Sequence, residues 1–415
     1  MKKEEESSMK KLSLTAKIFI SMVLGIIAGL LLQGNPAIAV DYIKPVGTIY
    51  LNLIKMVVVP VVLLSIMQGI VSLEDIRKVG TLGARTVIYY MCTTALAITL
   101  GLVLANVLNV GGGFVIETGE LSYEAAAAPS FIDTIVNIFP ANFFKPMVEA
   151  NMLQVICIAI FFGFGIILAG EKGKAASEWI DSFAEVSFKV MGLIIKFSVF
   201  GVFALICPVV AQNGPEVLLP LLKVILIAYA AYAAHAILVY SASVKVFAGM
   251  SPLTFFKGAS QAMLFAFSSA SSAGTLPFTL ECCEKKLGAR KEIASFVLPL
   301  GATINMDGTA IYQGVCAIFI ASILGVDLTL SNQLTIILTA TLASIGTAGV
   351  PGSGMIMLAM VLESVGLPVE GIALVAGIDR ILDMGRTCIN VTGDAACTIC
   401  VDAMDKKSSA KKAAK

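Results

Sequence analysis

The stretch GIDRILDMGRTCINVTGD, Gly377–Asp394, sets three aspartates, two arginines, one asparagine and two threonines in a chain that is otherwise strongly apolar. At about 100° per residue, Asp379, Arg380, Asp383, Arg386, Thr387, Asn390 and Asp394 share about a third of a helix circumference. The apolar residues Ile381, Leu382, Met384, Ile389 and Val391 fall mostly on the remainder. Intrahelical salt bridges that clamp this helix to a neighbour would be one use of such a stripe. A functional face is the other, because ionisable groups at membrane depth are expensive and default to function. The stripe persists for about four turns, longer than a clamp requires.

That reading presupposes a membrane, and composition supplies it. Of 415 residues, 58% are hydrophobic and 14% charged, and the net charge is +1. A soluble protein carries about 25% charged residues. No bulk basic character suggests nucleic acid as a partner. Apolar runs recur that can cross a hydrocarbon core of about 30 Å as helix, whereas a barrel would show short alternating segments. The expected class is an all-α polytopic membrane protein. The opening MKKEEESSMKKLSLTAKIFISMVLGIIAGLLL reads as a retained first helix, since no small-residue cleavage site follows it.

Eight spans are expected, at residues 12–33, 44–72, 85–109, 151–170, 184–211, 216–246, 291–325 and 370–402. Two further apolar regions, 253–284 and 332–366, are interrupted by FSSASSAGTLP and ASIGTAGVPGSG. Backbone of that kind is tolerated at membrane depth only when buried in protein or lining a wet cavity. Both are therefore expected to be re-entrant helical hairpins. With the N-terminus inside, this layout leaves Lys44 and Lys145 as the only basic residues in outside loops, in keeping with the positive-inside rule. Both termini are then cytoplasmic, the first hairpin enters from inside and the second from outside. Hairpin plus helix, repeated in opposite orientation, is the pattern of secondary transporters.

Span seven carries GATINMDGTAIYQG, Gly301–Gly314. Asn305, Asp307 and Gly308 predict a break that turns carbonyls inward. A simple kink with internally bonded polar groups is the alternative. Carbonyls with carboxylates form a hard-oxygen cage suited to a cation such as Na⁺. The candidate buried acids Asp307, Asp379, Asp383 and Asp394 outnumber the bases Arg380 and Arg386 by two. Buried negative charge in excess needs cations or protons, while an arginine fork suits a carboxylate. An amino acid or dicarboxylate carried with cations fits these groups. Among nine cysteines, the lone C-x-x-C of Cys397 and Cys400 has no second pair nearby to make a metal site. His235, the single histidine, lies in an apolar helix and reads as structural. An intramembrane aspartyl protease would need two carboxylates sharing a proton, but it would leave the serine-rich run, the arginine and the second hairpin without a role. No nucleotide-binding loop is present, so energy is expected to come from an ion gradient, and the chain is expected to be a transporter and not an enzyme.

The segments SSASSAGTLP, NMDGTAIYQG, ASIGTAGVPGSG and DMGRTCINVTGD resemble, in order, the four signature regions of the glutamate transporter homologue family, the dicarboxylate/amino acid:cation symporters. The inverted repeats of an archaeal aspartate transporter of this family are a known example. The resemblance implies a homotrimer in the cell membrane that works as an elevator, importing an acidic amino acid, aspartate or glutamate, with three Na⁺. The scaffold would be residues 12–72 and 151–211. The moving transport domain would be 85–109 and 216–404, between cytoplasmic tails 1–11 and 405–415. By resemblance, Asp383 takes the substrate amino group and Arg386 its side-chain carboxylate. Ser271, Ser272, Thr309, Val350, Gly354, Thr387 and Asn390 complete the substrate site. One Na⁺ site would use Gly301, Asn305, Asn390 and Asp394. A second would use Thr303, Ser344, Ile345 and Thr347, and a third Tyr90, Thr93, Thr94, Asn305 and Asp307. Archaeal members carry an arginine where this chain has Ala270, and animal members carry one where it has Met384. Arg380, one turn away on the stripe, is expected to replace that charge beside Asp379 or Asp383. The alternatives are the same fold carrying a dicarboxylate or a neutral amino acid, or coupling to H⁺.

Overall fold

The computed structural model describes residues 14–79, 81–112, 136, 138–149, 151–344 and 353–413. Every regular element among them is helical. Five long helices come first: α1 (Leu14–Leu31), α2 (Lys44–Val79), α3 (Thr81–Val107), α4 (Met152–Ala169) and α5 (Lys174–Asn213). They are followed by α6 (Leu218–His235), α7 (Pro252–Ser269), α8 (Ser272–Glu281), α9 (Lys291–Ile304), α10 (Asp307–Ile323), α11 (Leu330–Ala343), α12 (Ser353–Ser364) and α13 (Asp379–Ala413).

By length and hydropathy, five stretches among the described residues qualify as crossing helices: Pro36–Val71, Thr81–Val107, Gln154–Ile194, Gly214–Ala248 and Lys291–Ile323. Ala16–Leu31 and Lys196–Gln212 are apolar but shorter. α13 does not qualify, because its polar stripe lowers its hydropathy although the stripe faces inward. Two helices differ in extent from the expected spans. The helix that contains the expected fifth span, 184–211, begins at Lys174. Its first turns, KAASEWIDSF, carry too many charges to read as lipid-facing, yet they continue the same helix. The last span, expected at 370–402, is divided. Ile372–Ala376 is a separate short helix, and the long helix runs from Asp379 past the apolar limit to Ala413.

The helices pack as two groups. α1 and α2 lie along α5, and α2 also lies along α4. Small residues permit the close approach, as in other membrane helix pairs. A Cβ on Gly29 of α1 would stand 2.7 Å from the Cys207 carbonyl oxygen, and one on Gly47 of α2 would stand 2.7 Å from Leu205. In the second group, α10 packs against α3, α6 and α13, while α7 and α9 also lie on α13. Every residue of α10 from Asp307 to Ala321 is buried. Within Lys291–Ile323, 94% of one 18-residue window is buried.

Both interrupted regions fold back on themselves. In the first, α7 ends where Ala270 adopts a left-handed conformation, φ 51°. Ser271 then caps α8 by accepting a hydrogen bond from the Gly274 amide, 3.0 Å. The serine-rich run thus supplies a helix start, because a hydroxyl satisfies one of the orphan amides. The two arms contact each other and α13. In the second region, α11 begins at the Thr329 cap and its arm contacts α12. Residues 345–352 between them lie outside the described residues. Span seven breaks where NMD predicted a break: α9 ends at Ile304, Asn305 is extended (φ −102°, ψ 101°), and α10 starts at Asp307.

Candidate substrate and cation site

The polar stripe of α13 faces α10 and the first hairpin. Two tyrosines of α6 fix its first turns: the Tyr229 hydroxyl donates to the Ile381 carbonyl at 2.7 Å, and Tyr232 reaches the Leu382 carbonyl at 3.4 Å. Asp379, Asp383, Arg386, Thr387, Asn390 and Asp394 are all buried. The side chain of Arg380 is 15% exposed.

At the upper end of the stripe the charges balance. Arg386 donates from Nε to Asp383 Oδ1 at 2.9 Å, and its Nη2 stands 2.8 Å from the same oxygen. Its Nη1 is 3.6 Å from Asp379 Oδ1. Thr387 also donates to Asp383 Oδ1, 3.3 Å. Arg380 Nη1 is 3.3 Å from Asp383 Oδ2, and its Nη2 is 3.4 Å from the Ser269 carbonyl at the tip of the first hairpin. Two guanidiniums therefore face two carboxylates. The Arg386 guanidinium lies 5.0 Å over the Tyr312 ring. Neither Nη1 nor Nη2 of Arg386 makes a well-directed hydrogen bond among the described residues. Gly354, at the start of α12, sits directly over this fork, and a Cβ there would collide with Nη1. A buried planar fork with underused donors is suited to a carboxylate.

One turn lower, Asn390 joins the broken helix to α13. Its Oδ1 accepts from the Gly308 amide at 2.8 Å, and its Nδ2 reaches Thr309 Oγ1 at 3.3 Å. Asn305 donates to the Asn390 carbonyl at 3.0 Å and to Asp394 Oδ1 at 2.9 Å. The buried Oδ1 of Asn305 has no partner among the described residues. A Cβ on Gly301 would meet both Asp394 Oδ1 and the Tyr90 hydroxyl, so these groups border one small volume. The Tyr90 hydroxyl itself donates to the Val297 carbonyl, 3.2 Å.

Asp307 is fully buried and surrounded by hydroxyl groups and one imidazole. Thr94 donates to Oδ1 at 2.7 Å and Thr93 at 3.3 Å, while the Tyr240 hydroxyl lies 2.8 Å from Oδ2. His235 Nε2 is 3.2 Å from the same oxygen. Neither Asp307 nor Asp394 has a lysine or arginine among its described partners. These are the two candidate acids in excess of the arginines. An isolated buried charge costs several kcal/mol, so each is suited to a cation. Among the described residues no three His, Cys, Asp or Glu side chains converge as a transition-metal site would need. Carboxylate, amide and hydroxyl oxygens are the donors instead, the set a hard cation prefers.

Other expected site residues have local side-chain contacts. Thr303 is bonded back to Leu300, and Ser344 to Thr341. Ser271 serves as a cap, and Ser272 is buried as the first residue of α8. Val350, Ile345 and Thr347 lie outside the described residues. His235 and Tyr240 were not expected at the site, nor was Tyr312. His235 contacts Asp307, a candidate cation ligand. At 3.6 residues per turn, His235 and Tyr240 would point about 140° apart. The turn Ala236–Tyr240 is π-helical, and its wider pitch brings both side chains to one carboxylate.

Comparison with known proteins agrees with this architecture. A profile described as the sodium:dicarboxylate symporter family matches residues 14–404. The chain is 39% identical to a proton/sodium-glutamate symport protein of Geobacillus stearothermophilus over 404 residues, covering 94% of each chain. It is 35% identical to a proton/glutamate-aspartate symporter of Escherichia coli, covering 97% of this chain and 95% of the relative. It is also 31% identical to a C4-dicarboxylate transport protein of Bacillus subtilis, covering 94% and 93%. These relatives are transporters and not enzymes. The chain belongs to the sodium:dicarboxylate symporter family, multi-pass transporters of the plasma membrane.

Proposed function

We propose that the protein is a secondary active symporter that imports an acidic amino acid, aspartate or glutamate, together with Na⁺. The observation that carries this reading is the division of charge along one helix face. Arg380 and Arg386 balance Asp379 and Asp383, whereas Asp307 and Asp394 have no lysine or arginine among their described partners. The first cluster suits a substrate with both an ammonium and carboxylates: Asp383 takes the ammonium, and Arg386 takes the distal carboxylate. Thr309, Thr387, Asn390, Gly354 and the first-hairpin serines Ser271 and Ser272 frame the remainder. The second cluster suits the travelling cations. Three Na⁺ per substrate would neutralise the two excess charges and an acidic amino acid.

The two packing groups support an elevator. α1, α2, α4 and α5 form the scaffold, and α3, α6, the hairpins, α9, α10 and α13 move as one body. Eight crossings, two re-entrant hairpins, cytoplasmic termini and a trimer complete the proposal. A dicarboxylate is the second reading. The Arg380–Asp383 contact favours it, because a substrate without an ammonium would leave Asp383 already partnered.

Uptake into proteoliposomes tests the main reading. Aspartate or glutamate should accumulate under an inward Na⁺ gradient and fail to do so when choline replaces Na⁺. Equal uptake in choline, with no response to a proton gradient, would remove the proposal. Asp307→Asn is expected to raise the Na⁺ concentration for half-maximal uptake by about tenfold or more, since about 1.4 kcal/mol of cation binding suffices for that shift. A Na⁺ titration of thermal stability in detergent reads the same change without transport. An unmoved titration would exclude Asp307 as a ligand.

A further inference from the structure

The two oxygens of Asp383 are partnered very differently. Oδ1 is held by Arg386 through Nε at 2.9 Å and Nη2 at 2.8 Å, with Thr387 at 3.3 Å. Oδ2 meets Arg380 Nη1 at 3.3 Å. The other nitrogen of that guanidinium makes a 3.4 Å contact to the Ser269 carbonyl. Its Nε is buried and has no partner among the described residues. Both Arg380 contacts are long for charge-assisted bonds, which run about 2.7–2.9 Å. Arg386 is fixed beneath Gly354 and over Tyr312, whereas Arg380 reaches in from the partly exposed margin.

Ser269 adds a second attraction. It is the last residue of α7, and the chain leaves the helix at left-handed Ala270. The closing carbonyls of a helix lack intrahelical partners and favour a cation. Arg380 therefore bridges a helix C-terminus and a carboxylate, and it is held loosely at both ends.

Resting on the symporter reading above, we propose that Arg380 is an exchangeable internal counter-ion for Asp383 and so determines substrate class. A substrate ammonium displaces it from Oδ2, and the displaced guanidinium keeps the Ser269 carbonyl. A C4-dicarboxylate has no ammonium and leaves Arg380 on Asp383, so the acid is never stranded. One site thereby accepts both acidic amino acids and C4-dicarboxylates. Without Arg380, Asp383 Oδ2 loses this counter-ion while Arg386 and Thr387 keep Oδ1, and only a substrate with an ammonium replaces it, so dicarboxylate binding would be selectively weakened. The displacement changes only ionic contacts, so no covalent step is involved.

The test measures dissociation constants for aspartate and succinate by calorimetry, in saturating Na⁺, on purified wild-type protein, Arg380→Met, Arg380→Gln and Arg380→Lys. Wild-type protein should bind both ligands. In the Met and Gln variants the ratio of succinate to aspartate dissociation constants should rise by at least about tenfold, equivalent to about 1.4 kcal/mol. Arg380→Lys, which keeps the charge, should recover part of that ratio. A general loosening of the fold would weaken both ligands together and leave the ratio within about twofold, which would overturn the proposal. Wild-type protein that binds aspartate but not succinate would also overturn it, with the symporter reading intact. Wild-type protein that binds neither ligand would overturn the substrate reading beneath it as well. Gln and Met give two uncharged side chains of different polarity, so misfolding of one leaves the comparison available through the other.

Discussion

Arg386→Ala will lower aspartate uptake by at least about a hundredfold, while protein lacking Asp379 charge as well will remain folded and still fail to transport. The first part follows from the fork. Hydrogen bonds to charged groups contribute about 1.5–3 kcal/mol each, and a carboxylate on a buried arginine uses two of them. The second part follows from the pairing. Removing the guanidinium takes away a basic partner of both Asp379 and Asp383 and leaves Arg380 on Asp383. Stranding a buried charge costs about 3–5 kcal/mol, so the single variant confounds stability with binding. Arg386→Ala combined with Asp379→Asn restores the local balance. If the double variant elutes as a single species and melts near the wild-type temperature, its lost uptake belongs to the fork. Aspartate uptake within about threefold of wild type in that variant would show that Arg386 does not hold substrate.

Gly308→Ala should be the most disruptive methyl group that can be added to the site. Gly308 begins α10, and a Cβ there would overlap the Arg386 carbonyl oxygen and stand 2.6 Å from the Arg386 Cα. Both obstacles are backbone, so no rotamer change relieves them. The Gly308 amide also donates to Asn390 at 2.8 Å, and parting the helices would break that bond. Overpacking costs typically about 1–3 kcal/mol and occasionally more, and a contact between backbones belongs at the upper end. Gly314→Ala lies two turns along the same helix, where the nearest atom to a new Cβ is 3.3 Å away. Thermal melting of both variants in detergent should show a large drop for Gly308→Ala and little change for Gly314→Ala. Equal melting temperatures would show that α10 and α13 are free to separate.

The sequence disclosed most where local chemistry decides structure. Asn305, Asp307 and Gly308 announced a helix break, and the chain breaks at Asn305. The serine-rich run announced an interruption, and Ser271 caps the second arm. The stripe on α13 was legible because the helix there is regular, so a 3.6-residue period assigns faces correctly. Legibility failed where the period changed. The π-helical turn before Tyr240 moved two side chains onto Asp307 that a regular helix would have kept apart. It failed again where partners are distant in sequence. Arg380 was expected beside Asp379 or Asp383, but its second contact, Ser269, lies across the fold in a hairpin turn. Tyr312 is apolar-looking in sequence and becomes relevant only because α10 lays its ring under Arg386.

The complete burial of α10 has a consequence for how the molecule meets different lipids. Helices that show large apolar side chains outward, such as those carrying Phe161, Leu193 and Phe200, must adapt when the hydrocarbon layer thickens or thins. Such adaptation costs fractions of a kcal/mol per ångström of mismatch. α10 carries the candidate ligand Asp307 with almost no outward face of its own, so tilt imposed by the surrounding lipid reaches Asp307 only through other helices. Chain-length changes in the host membrane should therefore alter turnover before they alter cation affinity.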